Sequence, residues 1–257
     1  MKNTTLWIAL ASLFTASNSF ASVVKGRVYE DNSNTPIYTF ERNETTEAGK
    51  RIVESKFFAN DGKVALWEKL HYTPGKNIFD LYEFERPLSK EKATVRPEND
   101  KLHFVYDDGP EHNTAKESLE ENTINREEIP TFVAANWNKL MDGDKLKSRF
   151  IVPDRAETIG FGMRKREEVT HKGKPAVRVI LFALSPFVAM IAGDTFLIFE
   201  KDGQHRLLQV DGRTPMLKQV EGKWKSFTGR VEYDYDVPVP ATPALASNMK
   251  PAVAKQN

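Results

Sequence analysis

The chain has no cysteine and no excess of either charge, and beyond its first residues it has no apolar run long enough to cross a bilayer. Each absence excludes something. Without cysteine there is no disulfide framework and no acylated cysteine of the bacterial lipoprotein kind, so the hydrophobic core must supply the stability alone. With 37 basic against 36 acidic residues, the chain lacks the electrostatic footprint of a nucleic-acid binder or of a protein held on anionic membrane by net charge. Motifs of known chemistry are absent too. There is no H-E-x-x-H, no G-x-S-x-G and no Walker loop, and Gly160-Phe161-Gly162 is followed by Met163-Arg164-Lys165 instead of completing a dinucleotide fingerprint. These patterns assign no cofactor and no catalytic residue. Asp107, Asp108, Glu111 and His112 carry metal-ligating atoms but lack a recognised ligand spacing, and they read as part of a solvated loop.

What is present begins with a targeting segment. Lys2 supplies a positive start, Leu6 to Phe14 an apolar stretch and Ser19-Phe20-Ala21 a small-x-small cleavage site, so residues 1–21 read as a secretory signal peptide. Its apolar part is too short for a permanent span, and no stop-transfer pattern follows. The mature chain is therefore expected in the periplasm or outside the cell, without a transmembrane segment. Removing 21 residues from 257 leaves ample length for a core without covalent staples.

Residues 22–236 read as a single β-rich domain. Short runs rich in Val, Ile, Phe and Tyr recur about every ten residues, separated by Asn, Asp and Gly at positions that suit tight turns, as at Asn60-Asp61-Gly62, Asn99-Asp100 and His171-Lys172-Gly173. The expected strands before the helix are 23–30, 36–42, 51–59, 63–72, 77–85, 93–96 and 101–106, and after it 145–152, 158–170, 176–184, 195–200, 205–210 and 227–235. In the last of these, Phe227, Gly229, Val231, Tyr233 and Tyr235 take one face, and Thr228, Arg230, Glu232 and Asp234 the other. The fold class is thus mainly β, a large antiparallel meander forming a curved sheet or open barrel. Residues 107–125 are polar and without period, and read as a long surface loop.

One helix is expected over 126–141. Glu127 and Glu128 suit its positive end, Pro130 fits a first turn, Asp142-Gly143 ends it, and Val133, Trp137, Leu140 and Met141 share one face. Beyond Asp236 the composition turns to Pro and Ala without periodicity, so 237–257 is expected to be a disordered tail.

The stretch that stands out is Lys174 to Glu200. It reads as two strands joined by an apolar connector, 186–193, and connectors are ordinarily polar because they run over the surface. Phe187, Val188, Met190 and Ile191, with Trp137 from the helix, are the candidate ligand-binding residues, covering the mouth of an apolar cavity. The partner would be an apolar, lipid-like small molecule. Alternatively the same segment contacts an envelope protein or a membrane surface, in a structural or interaction protein without a small ligand. A hydrolase is the third class, but no spacing places a nucleophile beside His71, His103, His171 or His205.

The order of helix, Asp142-Gly143-Asp144, strands, Thr195 to Arg213 and a closing strand ending Val231-Glu232-Tyr233 resembles the uncharacterised bacterial envelope family called domain of unknown function 3108, over roughly residues 25–235. The resemblance implies an exported, barrel-like β domain with no established catalytic residues.

Overall fold

A computed structural model describes residues 22–235. The signal segment 1–21 and the tail 237–257 lie outside the described residues. Fifteen strands follow one another: β1 (Ser22–Glu30), β2 (Pro36–Glu47), β3 (Lys50–Ala59), β4 (Val64–Tyr72), β5 (Leu81–Arg86), β6 (Glu91–Glu98), β7 (Lys101–Asp107), β8 (His112–Ser118), β9 (Thr123–Ile124), β10 (Leu146–Val152), β11 (Glu157–His171), β12 (Lys174–Ala183), β13 (Thr195–Glu200), β14 (Leu207–Val220) and β15 (Lys223–Asp234). Three short helices interrupt them: α1 (Ile129–Ala135), α2 (Trp137–Met141) and α3 (Pro186–Ala192).

All fifteen strands belong to one sheet, in the order β8-β7-β6-β5-β4-β3-β2-β1-β15-β14-β13-β12-β11-β10-β9. Pairing is antiparallel throughout, except that the two-residue β9 runs parallel to β10. The strands therefore start with β1 at the middle of the sheet, wind out to one edge, cross to the other edge and return, so that β15 closes against β1 in the register Val28 to Val231. The two edges approach without forming a ladder. Glu117 of β8 accepts from the Thr158 backbone N–H at 2.9 Å and from its hydroxyl, while Arg149 lies 3.2 Å from Glu120 and 3.6 Å from Glu117. Side chains, not backbone hydrogen bonds, bridge the seam of an open barrel.

Alternation builds the inside. In β4 Leu66, Leu70 and Tyr72 are buried with Glu68, while Trp67, Lys69 and His71 turn outwards. The core falls into two clusters. One joins β1 to β7 with Met216, Phe227 and Val231; the other packs α1 and α2 on the strands from β9 to β14. In the second, Val133, Trp137 and Leu140 are buried and Met141 is partly so, as the helical spacing predicts.

Several expectations are revised. The supposed loop 107–125 contains β8 and β9; β8 escapes the sequence pattern because both of its faces are largely exposed, which leaves no alternation to read. The helix over 126–141 is present in pieces: a 3-10 turn at Arg126–Glu128, then α1, then α2 after a break at Asn136. There the Asn136 side-chain amide donates to the Phe132 carbonyl at 2.9 Å, a local bond that competes with the helical ladder. Leu81 begins the strand expected from 77, because Thr73 and Lys76 both bond Asp80 and hold a turn, Lys76 at 2.6 Å. The run expected over 205–210 continues as β14 to Val220, and the apolar connector is helical.

Candidate functional site

The site is built around a turn. Asn125 caps the 3-10 turn by accepting from the Glu127 N–H at 2.9 Å, and the Glu128 carboxylate accepts from the Asn125 N–H at 2.9 Å, a reciprocal capping box. This fixes three consecutive charged residues, each of which reaches a strand. Arg126 pairs with Glu68 of β4 and lies over the Phe57 ring at 5.1 Å; Glu127 accepts from Arg42 of β2 at 2.9 Å; Glu128 accepts from the Tyr72 hydroxyl at 3.0 Å. Glu68 is 2% exposed and also accepts from the Tyr82 hydroxyl at 2.5 Å. The turn thus anchors the helices inside the curve of the sheet.

Beside this anchor the two arms of the sheet enclose a cavity of about 540 Å³. Its walls are mainly apolar, with Phe150, Phe161, Leu181, Leu197 and Val210 from the second arm facing Phe57 and Phe84 from the first. Charge enters at the Arg126–Glu68 pair, at Arg155 and Arg213, and at Arg86, whose guanidinium bonds Glu91 at 2.5 Å, Asp154 at 2.9 Å and the Pro215 carbonyl at 2.7 Å. Phe187 and Val188 of α3, with Leu217 and Trp224 of the β14–β15 hairpin, form a more exposed part of the lining.

The predicted residues separate. Phe187 and Val188 line the cavity; Met190, 77% exposed, does not. Trp137 is buried elsewhere, stacked on His205 at 3.9 Å and edge-on to Phe199 at 6.3 Å, in the core of the second cluster. Trp137 is not part of this cavity's lining; an aromatic at helical spacing with other apolar residues packs in a core here. The side chain of Ile191 lies outside the described residues. Sequence reasoning missed Arg126, Glu68 and Trp224, since each sits in a polar or alternating run whose meeting point is set by topology alone. Among the described residues no group of three or more His, Asp or Glu side chains could hold a metal ion. His71 lies 2.9 Å from Glu83 on the outer face, away from the cavity lining.

Desolvation pushes the Glu128 carboxyl up from its ordinary value of 4.5 to about 7. A carboxyl whose folded value is raised binds its proton more tightly folded than unfolded. Its contribution is full below pH 4.5 and is lost as pH climbs to about 7. Glu128→Gln, which keeps an acceptor for the Asn125 N–H and can donate to Tyr72, should therefore match the parent near pH 4.5 and exceed it at pH 8, by roughly 2–4 °C in Tm. Equal Tm differences between variant and parent at both pH values would refute the linkage.

No family model matches the chain, so the resemblance to domain of unknown function 3108 is not confirmed, and no curated protein matches it. No helix among the described residues is long and apolar enough to cross a membrane. Solved structures similar to it include a beta-barrel-like protein of domain of unknown function DUF1849 from Brucella abortus, at 8% identity and TM-score 0.42, covering 84% of this chain and 96% of that one. Another is a putative outer membrane lipoprotein-sorting protein domain from Vibrio parahaemolyticus, at 8% identity and TM-score 0.25, covering 89% of this chain and 90% of that one.

Proposed function

We propose that residues 22–236 form one exported unit, periplasmic or secreted once residues 1–21 are removed, that binds an apolar, lipid-like small molecule between the arms of its sheet. The observation that carries this reading is the cavity of about 540 Å³, walled mainly by buried apolar side chains and bordered by the exposed Phe187 and half-buried Val188. Its volume falls within the roughly 300–1,000 Å³ of small-molecule pockets. The pair of half-buried Arg126 with buried Glu68 and the Tyr82 hydroxyl offer a few fixed polar groups within an apolar wall, which suits a ligand with a long apolar part and a small polar one.

Titration with a fluorescent fatty-acid probe tests the reading. The unmodified protein should show saturable, one-to-one binding. Val188→Trp, placed at the half-buried border where a larger side chain can be accommodated, should weaken binding about tenfold without lowering Tm. Absence of saturable binding by the unmodified protein, or unchanged binding by the variant, would remove the assignment.

A further inference from the structure

Helix α3 and the strand that leads into it carry an apolar tip that the cavity does not account for. Among the described residues the exposed large apolar side chains are Val105, Leu184, Phe187 and Met190, and three of these four fall within one stretch of seven residues. Phe187 is 66% exposed and Met190 77%. Residues three apart share a helix face, so the two form one apolar step beside Leu184.

This tip continues into a surface that explains Gly162. Gly162 stands opposite Phe182 in the β11–β12 register, and a Cβ there would lie 2.6 Å from the Phe182 ring and 2.8 Å from Lys145 Cε. At Gly160 an added Cβ would make ordinary van der Waals contact with Leu184, whose Cδ1 would lie 3.5 Å away. The two glycines make a bare shelf on the outer face of the sheet, on which Phe182 and Leu184 lie. Cations edge the shelf. Lys145 Nζ is 4.7 Å and Arg164 Cζ 5.8 Å from the Phe182 ring centre, Lys147 is registered opposite Gly162, and all three basic residues are exposed. Between Lys174 and Glu200 the one acidic residue is Asp194, beyond the end of α3.

We propose that this surface docks on a lipid bilayer carrying anionic headgroups, with Phe187 and Met190 entering the headgroup–acyl boundary and Lys145, Lys147 and Arg164 meeting the phosphates. Apolar side chains bordered by cations are the composition that the bilayer interface rewards, and the attraction is local, since the chain as a whole is nearly neutral. A bilayer is favoured over a protein partner because the exposed side chains of Leu184, Phe187 and Met190 adjoin the shelf edged by the exposed Lys145, Lys147 and Arg164, three cations against the exposed Asp142, Asp144 and Asp194 near them in sequence. The docking does not require the cavity to be occupied. Where both hold, Phe187 belongs to the tip and to the cavity lining, so that an apolar ligand would pass between them without crossing water.

Flotation with vesicles of phosphatidylcholine alone, or mixed with phosphatidylglycerol, provides the test. The full mature chain should float with the mixed vesicles, less so at high salt. Phe187→Ser with Met190→Ser should lower the partition roughly a hundredfold, about tenfold for each side chain, with Tm unchanged because both are exposed in the free protein. Lys145→Glu with Arg164→Glu should reduce binding to the mixed vesicles only. Val188→Trp should keep vesicle binding while binding the fatty-acid probe about tenfold more weakly, which separates this proposal from the cavity reading. Equal flotation of the Phe187/Met190 variant and its parent would overturn the docking surface. A parent that floats with neither vesicle, or that self-associates through the tip in gel filtration, would overturn the bilayer as its occupant.

Discussion

Val231→Asp should destabilise the protein by roughly 3–5 kcal/mol, read from urea denaturation as a fall in the transition midpoint. Val231 is 6% exposed, pairs with Val28 across the β1–β15 junction and belongs to the first core cluster, so a carboxylate there loses its water without gaining a cation. The effect is large because this junction joins the two halves of the chain in the middle of the sheet. Thr228→Lys, on the exposed face of the same strand, should cost about 0.5 kcal/mol or less. Glu232→Lys is not an equivalent control, although period-two alternation alone suggests that it is. Glu232 lies 3.0 Å from Lys172 and 2.9 Å from Arg230, and a lysine there would meet two cations, at a cost nearer to about 1 kcal/mol. Equal effects of Val231→Asp and Thr228→Lys would mean that the faces of β15 are assigned wrongly.

Arg86→Ala should cost a comparable amount, about 3–5 kcal/mol, for a different reason. Its side chain is 8% exposed and serves Glu91, Asp154 and the Pro215 carbonyl together, while its guanidinium lies over the Phe84 ring at 4.8 Å. Removing it leaves two carboxylates and a carbonyl without their shared donor. Arg86 also ties β5 to the Pro153–Arg155 turn and to β14 from the other arm. Arg86→Lys should recover only part of the loss, because an ammonium cannot reproduce the planar fork. A loss under about 1 kcal/mol in urea for Arg86→Ala would show that the three partners find other donors.

Much of this architecture was legible because strands with one buried face write themselves into sequence. β4, β7 and β15 alternate, and their turns carry the glycines and asparagines that positive φ favours, such as Gly62 and the Asn99-Asp100 pair. The face of the helical segment was legible for the same reason, in its own period. β8 was not, since an edge strand exposed on both sides has nothing to alternate. The break at Asn136 was hidden because a side chain bonding its own helix leaves no mark in hydropathy. Of the site, Phe187 and Val188 could be found from an apolar connector where polarity is the rule. Met190 belongs to the same connector yet is exposed and lies outside the cavity lining, a difference that only the placement of the helix settles.

By itself the sequence determined the β class, the approximate strand ladder, the one helical segment and the anomaly at 186–193, because periodicity and turn chemistry are local properties of neighbouring residues. The tertiary structure decided that the first and last strands, β1 and β15, meet at the centre of one open sheet, that Asn125 to Glu128 anchors the helices on β2 and β4, and that the two arms line a cavity with Phe187 at its border. Those facts depend on which distant strands become neighbours. Pairings such as Arg86 with Pro215, or Arg126 with Glu68, bring together residues whose polar character gives no hint of their partner. Burial then fixes the pairing, since a charge removed from water must find its counter-charge wherever the fold has placed it.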